Sequence, residues 1–312
     1  MDKNLKKILI IFAFTALVLS APFFILNLRA PVLIVSDEIF LNLYGRERIK
    51  KDTFYNSLVL FRNILTVEVA NDASEDIIAL AVHGVSKNPY CVIFPLRFAA
   101  SALMYYEHNP GIRTVVLEGR SAETSEIDDS VNIFKYKTDI EADFFKAGFL
   151  ASAFKLPPVP ESEENPAQNA EDIRKRHIAV FLELRLNNAS GLKIKESFLA
   201  GMNEHNEDPP EVRYYTSYSD FSNFTNLSCV ILAGIGSEFL ENKQGVPIIV
   251  FTWLDPALIT SNVTVIIDDS PWAQAVQAVR LAESGAKEGL IKSEFLTLDR
   301  KKVDKNLLRK IR

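Results

Sequence analysis

The chain has little reactive chemistry: two cysteines, four histidines and two tryptophans in 312 residues. Cys91 and Cys229 stand inside apolar, strand-like runs, 90–94 and 229–232, where a small core residue is the simplest role. They could still pair in an oxidising compartment, but nothing in their spacing argues for a bridge. His83, His108, His177 and His205 are scattered without metal-type spacing, so no metal and no other cofactor is expected. Also missing are a G-x-S-x-G elbow, a P-loop, an H-E-x-x-H pair and a G-x-G-x-x-G turn. The nearest approach to a phosphate cradle, Gly234-Ile235-Gly236-Ser237, has neither the lysine nor the third glycine, and a plain glycine turn explains it. No enzyme is expected. An excess of positive charge is missing too: 35 basic against 40 acidic residues leave a net charge of −5, without a nucleic-acid footprint. The basic cluster from Arg300 to Arg312 is local. It reads first as a solvated helix or tail, and second as a contact for anionic lipid or a partner.

What the sequence does have is a long apolar run near its start. Lys3, Lys6 and Lys7 precede residues 8–28, a 21-residue stretch with no polar face. As a helix it is long enough to cross a hydrocarbon core of about 30 Å. Such a segment is an export signal or a membrane anchor. A cleaved signal wants small residues at its end, and here Leu19-Ser20-Ala21 is followed by Pro22, which favours an uncleaved anchor. No cysteine lies nearby for a lipoprotein linkage. Residues 1–29 are therefore set apart, and the rest is expected in the periplasm or another extracytoplasmic space, tethered to the inner membrane by residues 8–28.

Beyond the anchor, short apolar runs alternate with helical periods, the signature of βαβ units around a parallel sheet. Strands are predicted at 32–35, 65–69, 91–94, 114–117 and 131–136, with helices near 46–61, 74–82 and 97–107. The clearest helix begins after Asp139, where Ile140, Phe144, Ala147, Ala151 and Phe154 share one face. A proline-rich, acidic stretch, 156–172, then reads as an exposed loop. The alternation restarts with strands at 178–182, 212–215, 230–232, 248–251 and 263–267 and a helix over 191–205. A last helix is framed by Ser270, Pro271 and Gly285. The predicted fold class is α/β, with two Rossmann-like lobes carrying parallel sheets and a cleft between them. Lobe 1 takes 30–138 with a return segment near 256–267. Lobe 2 takes 139–255 and 268–290, and a basic segment, 291–312, closes the chain.

Four stretches carry a family resemblance: DIEADFFKAGFLASAFK (139–155), KIKESFLAGMNEHN (193–206), VPIIVFTWLD (246–255) and the strand and helix of 264–285. In this order they resemble the type I periplasmic-binding-protein fold, and within it the basic membrane protein and purine nucleoside receptor group. The sequence departs from that group in three places. Ser36-Asp37-Glu38-Ile39-Phe40 is only loosely similar to its first-strand loop, Asp255 is displaced from its late G-x-D, and Asp268-Asp269 stand near an expected lysine. Lactose-repressor-type regulators share the fold but carry a DNA-binding headpiece where this chain has residues 8–28. The resemblance implies a solute-binding protein of an ABC-type importer, with a membrane permease as partner and a nucleoside or sugar as ligand.

Open α/β sheets bind ligands beyond the carboxyl ends of their strands. That rule selects Asp37, Phe40, Asn71, Arg97, Glu183, Asp220, Trp253 and Asp255 as candidate ligand-binding residues, with Glu118 and Arg120 behind them. Aromatic faces suit sugar or base stacking, and carboxylates suit hydroxyls. Trp253 beside Asp255 is the best pair, though a Trp packed at a lobe edge and an Asp opening a Pro256 turn explain it equally. A helix-capping Asp and a core Phe are the plain alternative for Asp37 and Phe40, and a solvated surface pair for Arg97 and Arg120. Asp268, Asp269 and Trp272 could reach the cleft, or could serve only as a helix entry. The second functional possibility is an anchored binding-protein-like domain that has lost its ligand and works as an interaction or structural protein.

Overall fold

The computed structural model describes residues 25–120, 127–128, 130–152, 154, 177–184, 189–204, 210–221, 227–241, 245–252 and 262–299, with a few isolated positions near each end. The chain folds into two compact units, one made of Met1–Lys137 and Pro271–Ile291, the other of Thr138–Ser270 and Lys292–Arg312. Most of the apolar segment 8–28, expected as an anchor, and all of the stretch 156–172, expected as a loop, lie outside the described residues. Among the described residues no helix is long and apolar enough to cross a membrane.

The first unit is built from β1 (Val32–Asp37), α1 (Glu38–Tyr44), α2 (Arg46–Leu60), β2 (Ile64–Val69), α3 (Glu75–Val85), β3 (Cys91–Pro95), α4 (Ala99–His108), β4 (Arg113–Gly119) and β5 (Phe134–Thr138). The second unit contains α5 (Ile140–Ser152), β6 (His177–Leu182), α6 (Ala189–Asn203), β7 (Glu211–Tyr215), β8 (Leu227–Ala233), β9 (Ile248–Phe251) and β10 (Val263–Asp268). The chain then supplies α7 (Pro271–Ser284) and β11 (Glu288–Ile291) to the first unit and β12 (Glu294–Thr297) to the second.

Each unit has one six-stranded sheet, in the orders β11-β5-β4-β3-β1-β2 and β12-β10-β9-β8-β6-β7. Pairings from β1 to β5 and from β6 to β10 are parallel. β12 runs antiparallel to β10. A parallel strand covered on both faces should be apolar at every position, and β1, β3, β6, β8, β9 and β10 are buried at every residue.

In the first sheet alternate residues feed two cores. Val32, Ile34, Ile64, Cys91 and Ile93 meet α2 and α7 on one face. Leu33, Val35, Val67, Val92 and Phe94 meet α3 and α4 on the other. Trp272 is fully buried at the start of α7. Its Nε1 donates to Thr66 Oγ1 at 3.0 Å, and its carbonyl accepts from Asn56 Nδ2 at 2.8 Å. Its indole is therefore core with a satisfied polar handle, not a group reaching toward a ligand.

In the second unit α5 and α6 cover one face, with Phe144, Leu150, Phe198 and Met202 against Val180, Ile231 and Phe251. The two helices approach so closely that a Cβ on Gly148 would lie 2.0 Å from the Phe198 carbonyl oxygen, and one on Gly201 would lie 2.0 Å from that of Phe145. These are the glycines of the A-G-x-L-A and F-x-x-G stretches. They allow backbone-to-backbone contact that no other residue permits.

The strand segment 263–268 differs from the expected return into the first lobe. β10 completes the second sheet beside β9 and β12, and the chain crosses over only after it, at Ser270. The segment 291–312 is likewise not a mere tail, because Ile291 ends β11 and 294–297 form β12. Both strands are short and partly charged, EGLI and EFLT, so no period marks them. α1 also escaped periodicity, being only seven residues long.

Candidate functional site

Three of the candidate residues meet at the carboxyl edge of the first sheet. Asp37 ends β1, and its Oδ1 accepts from the Phe40 N–H at 2.9 Å, capping α1. Its Oδ2 forms an ion pair with the Arg97 guanidinium, which arrives from a 3-10 turn at the end of β3. β1 and β3 are neighbours in the sheet, which is why residues 60 positions apart meet. The carboxylate is fully buried, whereas the Arg97 side chain remains 33% exposed. The guanidinium carbon lies 5.3 Å from the Phe40 ring centre and 4.9 Å from that of Phe98. Thus Asp37 caps α1, the plain alternative for it, and also pairs with Arg97, which the sequence did not suggest, while Phe40 is an aromatic neighbour of the cation. The buried carboxylate holds the guanidinium in place, and a third of the Arg97 side chain stays accessible.

The other candidates are placed separately. Asn71 is exposed on the turn between β2 and α3. Glu118 is buried at the end of β4, 3.8 Å from Lys137 Nζ, and Lys135 Nζ is 3.7 Å from Glu288. These four side chains, with Gly289 and Leu290, line a depression of about 400 Å³ in the first unit. Opposite charges already face one another across it.

In the second unit Glu183 follows β6, and its N–H donates to the Ala233 carbonyl at 3.2 Å. Its side chain lies over the glycine turn, since a Cβ on Gly234 would fall 2.3 Å from Glu183 Cγ. Gly234 and Gly236 have φ of +92° and +91°, so the turn needs glycine for its backbone as well. A carboxylate over this turn is the wrong sign for a phosphate cradle. Asp220 is exposed at the end of a short 3-10 turn, Tyr218–Asp220. Trp253 and Asp255, the strongest pair by sequence, lie outside the described residues.

An aromatic cluster at the ends of β6 and β7 was not foreseen. Phe181 stacks on Tyr215 with ring centres 5.2 Å apart, and Phe239 lies 5.0 Å from it. Phe221 closes the group, 5.0 Å from Phe239 and 5.2 Å from Tyr215. Phe181, Phe221 and Phe239 are buried, so these rings satisfy one another. In sequence they are isolated aromatics on separate strands and turns, with no common period.

A buried polar group sits inside the second unit on α5. Asp143 Oδ1 accepts from the Ser293 N–H at 3.0 Å, and Oδ2 accepts from the Ser293 hydroxyl. Lys146 in turn donates to the Ser293 carbonyl. Burial pushes the Asp143 carboxyl up to about 7, ahead of the opposing pull of the Ser293 hydroxyl and Lys146. Burial also lowers the Lys146 ammonium, with Asp143 acting against it. The group pins the chain between β11 and β12 to α5. Cys91 and Cys229 are free, buried thiols, and burial drives the Cys91 thiol up to about 12. Among the described residues no cluster of three or more His, Cys, Asp or Glu could hold a metal ion.

No protein-family model and no curated protein matches the sequence. Solved structures do. An ABC transporter solute-binding protein from Conexibacter woesei superposes with a TM-score of 0.52 at 10% identity, covering 91% of this chain and 94% of that one. A transcriptional activator of the comK gene from Bacillus halodurans gives 0.50 at 12% identity, covering 91% and 95%. At such identity the likeness concerns the fold alone. With its two parallel-dominated six-stranded sheets, the chain has the fold of the type I periplasmic binding proteins.

Proposed function

We propose that the protein is an extracytoplasmic solute-binding protein, held at the membrane by residues 8–28, that takes a small polar ligand for an ABC-type importer. The observation that carries this reading is the Asp37–Arg97 pair at the carboxyl edge of the first sheet. A fully buried carboxylate orients a partly exposed guanidinium beside Phe40 and Phe98. A cation presented next to aromatic faces suits a ligand with a flat or apolar face and oxygen acceptors, such as a sugar or a nucleoside. Asn71, Glu183, Asp220, Trp253 and Asp255 remain candidate contributors, and affiliation with the basic membrane protein group remains part of the proposal. The Conexibacter neighbour supports the reading through its fold and its description as a transporter solute-binding protein.

The test is native mass spectrometry and thermal melting of the full chain, purified in mild detergent, against a panel of sugars and nucleosides. A ligand in excess stabilises the native state. The proposal expects a co-purifying small molecule or a raised melting temperature, lost in Arg97→Ala. A chain that is empty and unmoved by the whole panel overturns it. A second reading, an anchored domain that has lost its ligand, is favoured by one observation: Asp37 already caps α1 and forms an ion pair with Arg97. An empty, unresponsive chain is the outcome that reading expects.

A further inference from the structure

We infer that Asp143 and Lys146 form a proton-controlled latch on the third crossing of the chain, holding Ser293 while the Asp143 carboxyl is neutral and loosening it once the carboxyl ionises. The chain passes between the units after Lys137, after Ser270 and after Ile291. Ser293 is the second residue of the second unit after the last crossing, just before β12 begins. It is buried, and Asp143 is fully buried. The Ser293 N–H donates to Asp143 Oδ1 at 3.0 Å, its hydroxyl lies against Oδ2, and its carbonyl accepts from Lys146 Nζ. Asp143 and Lys146 stand one turn apart on α5, on the same side of the helix. Two side chains of one helical turn thus grip all three polar groups of a single residue.

The other two crossings border the same pair. Asp139, just after the first, caps α5 by accepting from the Ala142 N–H at 2.9 Å, and its charge acts on Lys146. Asp269, just before the second, accepts from the Thr252 hydroxyl, and its charge acts on Asp143. Lys292 and Glu294 flank Ser293 and act on Lys146. α6, which covers the same face of the sheet, brings Lys193 to Glu141 at 4.0 Å, with both side chains exposed. Asp143 is therefore opposed by the Asp269 carboxylate and assisted by the Lys146 ammonium. A neutral carboxyl suits this setting. It keeps both bonds to Ser293, because its own O–H can donate to the hydroxyl oxygen. An ionised carboxyl is instead a buried charge with the Asp269 charge against it. Local opening of 292–294 returns the carboxyl to water, so ionisation favours the open form. With the closed carboxyl raised to about 7 and the open one near the ordinary aspartate value, the hold is complete below about 4 and is lost as pH rises through 7. The latch is independent of what the protein binds.

The experiment is amide hydrogen exchange of the full chain in mild detergent from pH 5 to 8, corrected for the chemical exchange rate. It is followed at Ser293 and, as a measure of whole-unit opening, at Ile231 in the buried strand β8. In wild type Ser293 is expected to exchange faster than Ile231, with an opening constant that rises about fiftyfold over this range. Asp143→Asn keeps an acceptor and a donor in place but cannot ionise, and is expected to flatten that rise to less than about threefold. Lys146→Met removes the cation that favours the ionised carboxyl, so the midpoint is expected to move to higher pH. Exchange at Ile231 reports whether each variant is folded, and the wild-type profile and the Lys146→Met midpoint stand without the Asn variant. A wild-type opening constant that is flat with pH overturns the inference. So does a rise that persists in Asp143→Asn, or exchange of Ser293 at the same rate as Ile231, which leaves no local opening for a latch to control.

Discussion

The two units carry the same sheet and close it differently. Position by position, β2-β1-β3-β4-β5-β11 corresponds to β7-β6-β8-β9-β10-β12. In the first unit both faces are covered by helices, α2 and α7 on one and α3 and α4 on the other. In the second, the described residues put α5 and α6 on one face and, on the other, aromatic side chains from short turns and strand ends around Phe181. Among the described residues, then, the same strand order is covered by different elements in the two units. Where two helices share a face at backbone contact, glycine is required. On the other face, among the described residues, large rings such as Phe221 and Phe239 on short turns supply buried area.

The largest test of this contrast is Gly148→Ala or Gly201→Ala in the second unit. The added methyl meets a backbone carbonyl at 2.0 Å, which no rotamer change relieves. Each is expected to destabilise the second unit by about 3 kcal/mol or more, read as an early transition in a urea melt. A wild-type melt for either variant would mean that the helices stand further apart than described.

A second, intermediate effect concerns Asp143. Its carboxyl titrates near 7 in the fold and near the ordinary aspartate value when unfolded. Between those values the unfolded chain has lost the proton and the folded chain has kept it, so this group makes stability fall as pH rises from about 4 to about 7. Its contribution is fully present below about 4. Asp143→Asn is expected to remove that slope, checked by denaturant melts of wild type and variant at pH 4.5 and 7.5. Equal slopes in the two proteins would show that the carboxyl titrates normally.

The smallest effect returns to glycine. Gly84 lies in α3 with no atom within 4 Å of where a Cβ would stand. Gly84→Ala is expected to stabilise the first unit by about 0.5–1 kcal/mol, the opposite sign to the second unit's glycines. Thermal melting of the variant checks it, and destabilisation would show that α3 is packed more tightly there.

Much of this contrast was legible before folding. The fully apolar strands and the one-sided helices gave their positions to within a few residues, because a buried parallel strand and a core-facing helix each leave a period in the sequence. α1, β11 and β12 left none, being short and at an edge. The site was legible only as a set of strand ends. Asp37 and Phe40 were selected together and Arg97 apart from them, and the strand order that puts β3 beside β1 is a long-range fact with no local trace. Gly148 and Gly201 were visible in the stretches 139–155 and 193–206, but the close backbone approach they allow, Gly148 to Phe198 and Gly201 to Phe145, was not.

By itself, then, the sequence determined the α/β class, the two repeated alternations, the buried character of both cysteines and the apolar segment at the start, since each depends on neighbours along the chain. Tertiary structure alone decided which strand borders which, that β10 stays with the second sheet while α7 returns to the first, that Asp37 is held by Arg97, and that Trp272 is core. These outcomes depend on contacts between residues tens or hundreds of positions apart, where the energy of packing is set by shape and burial and not by any local period.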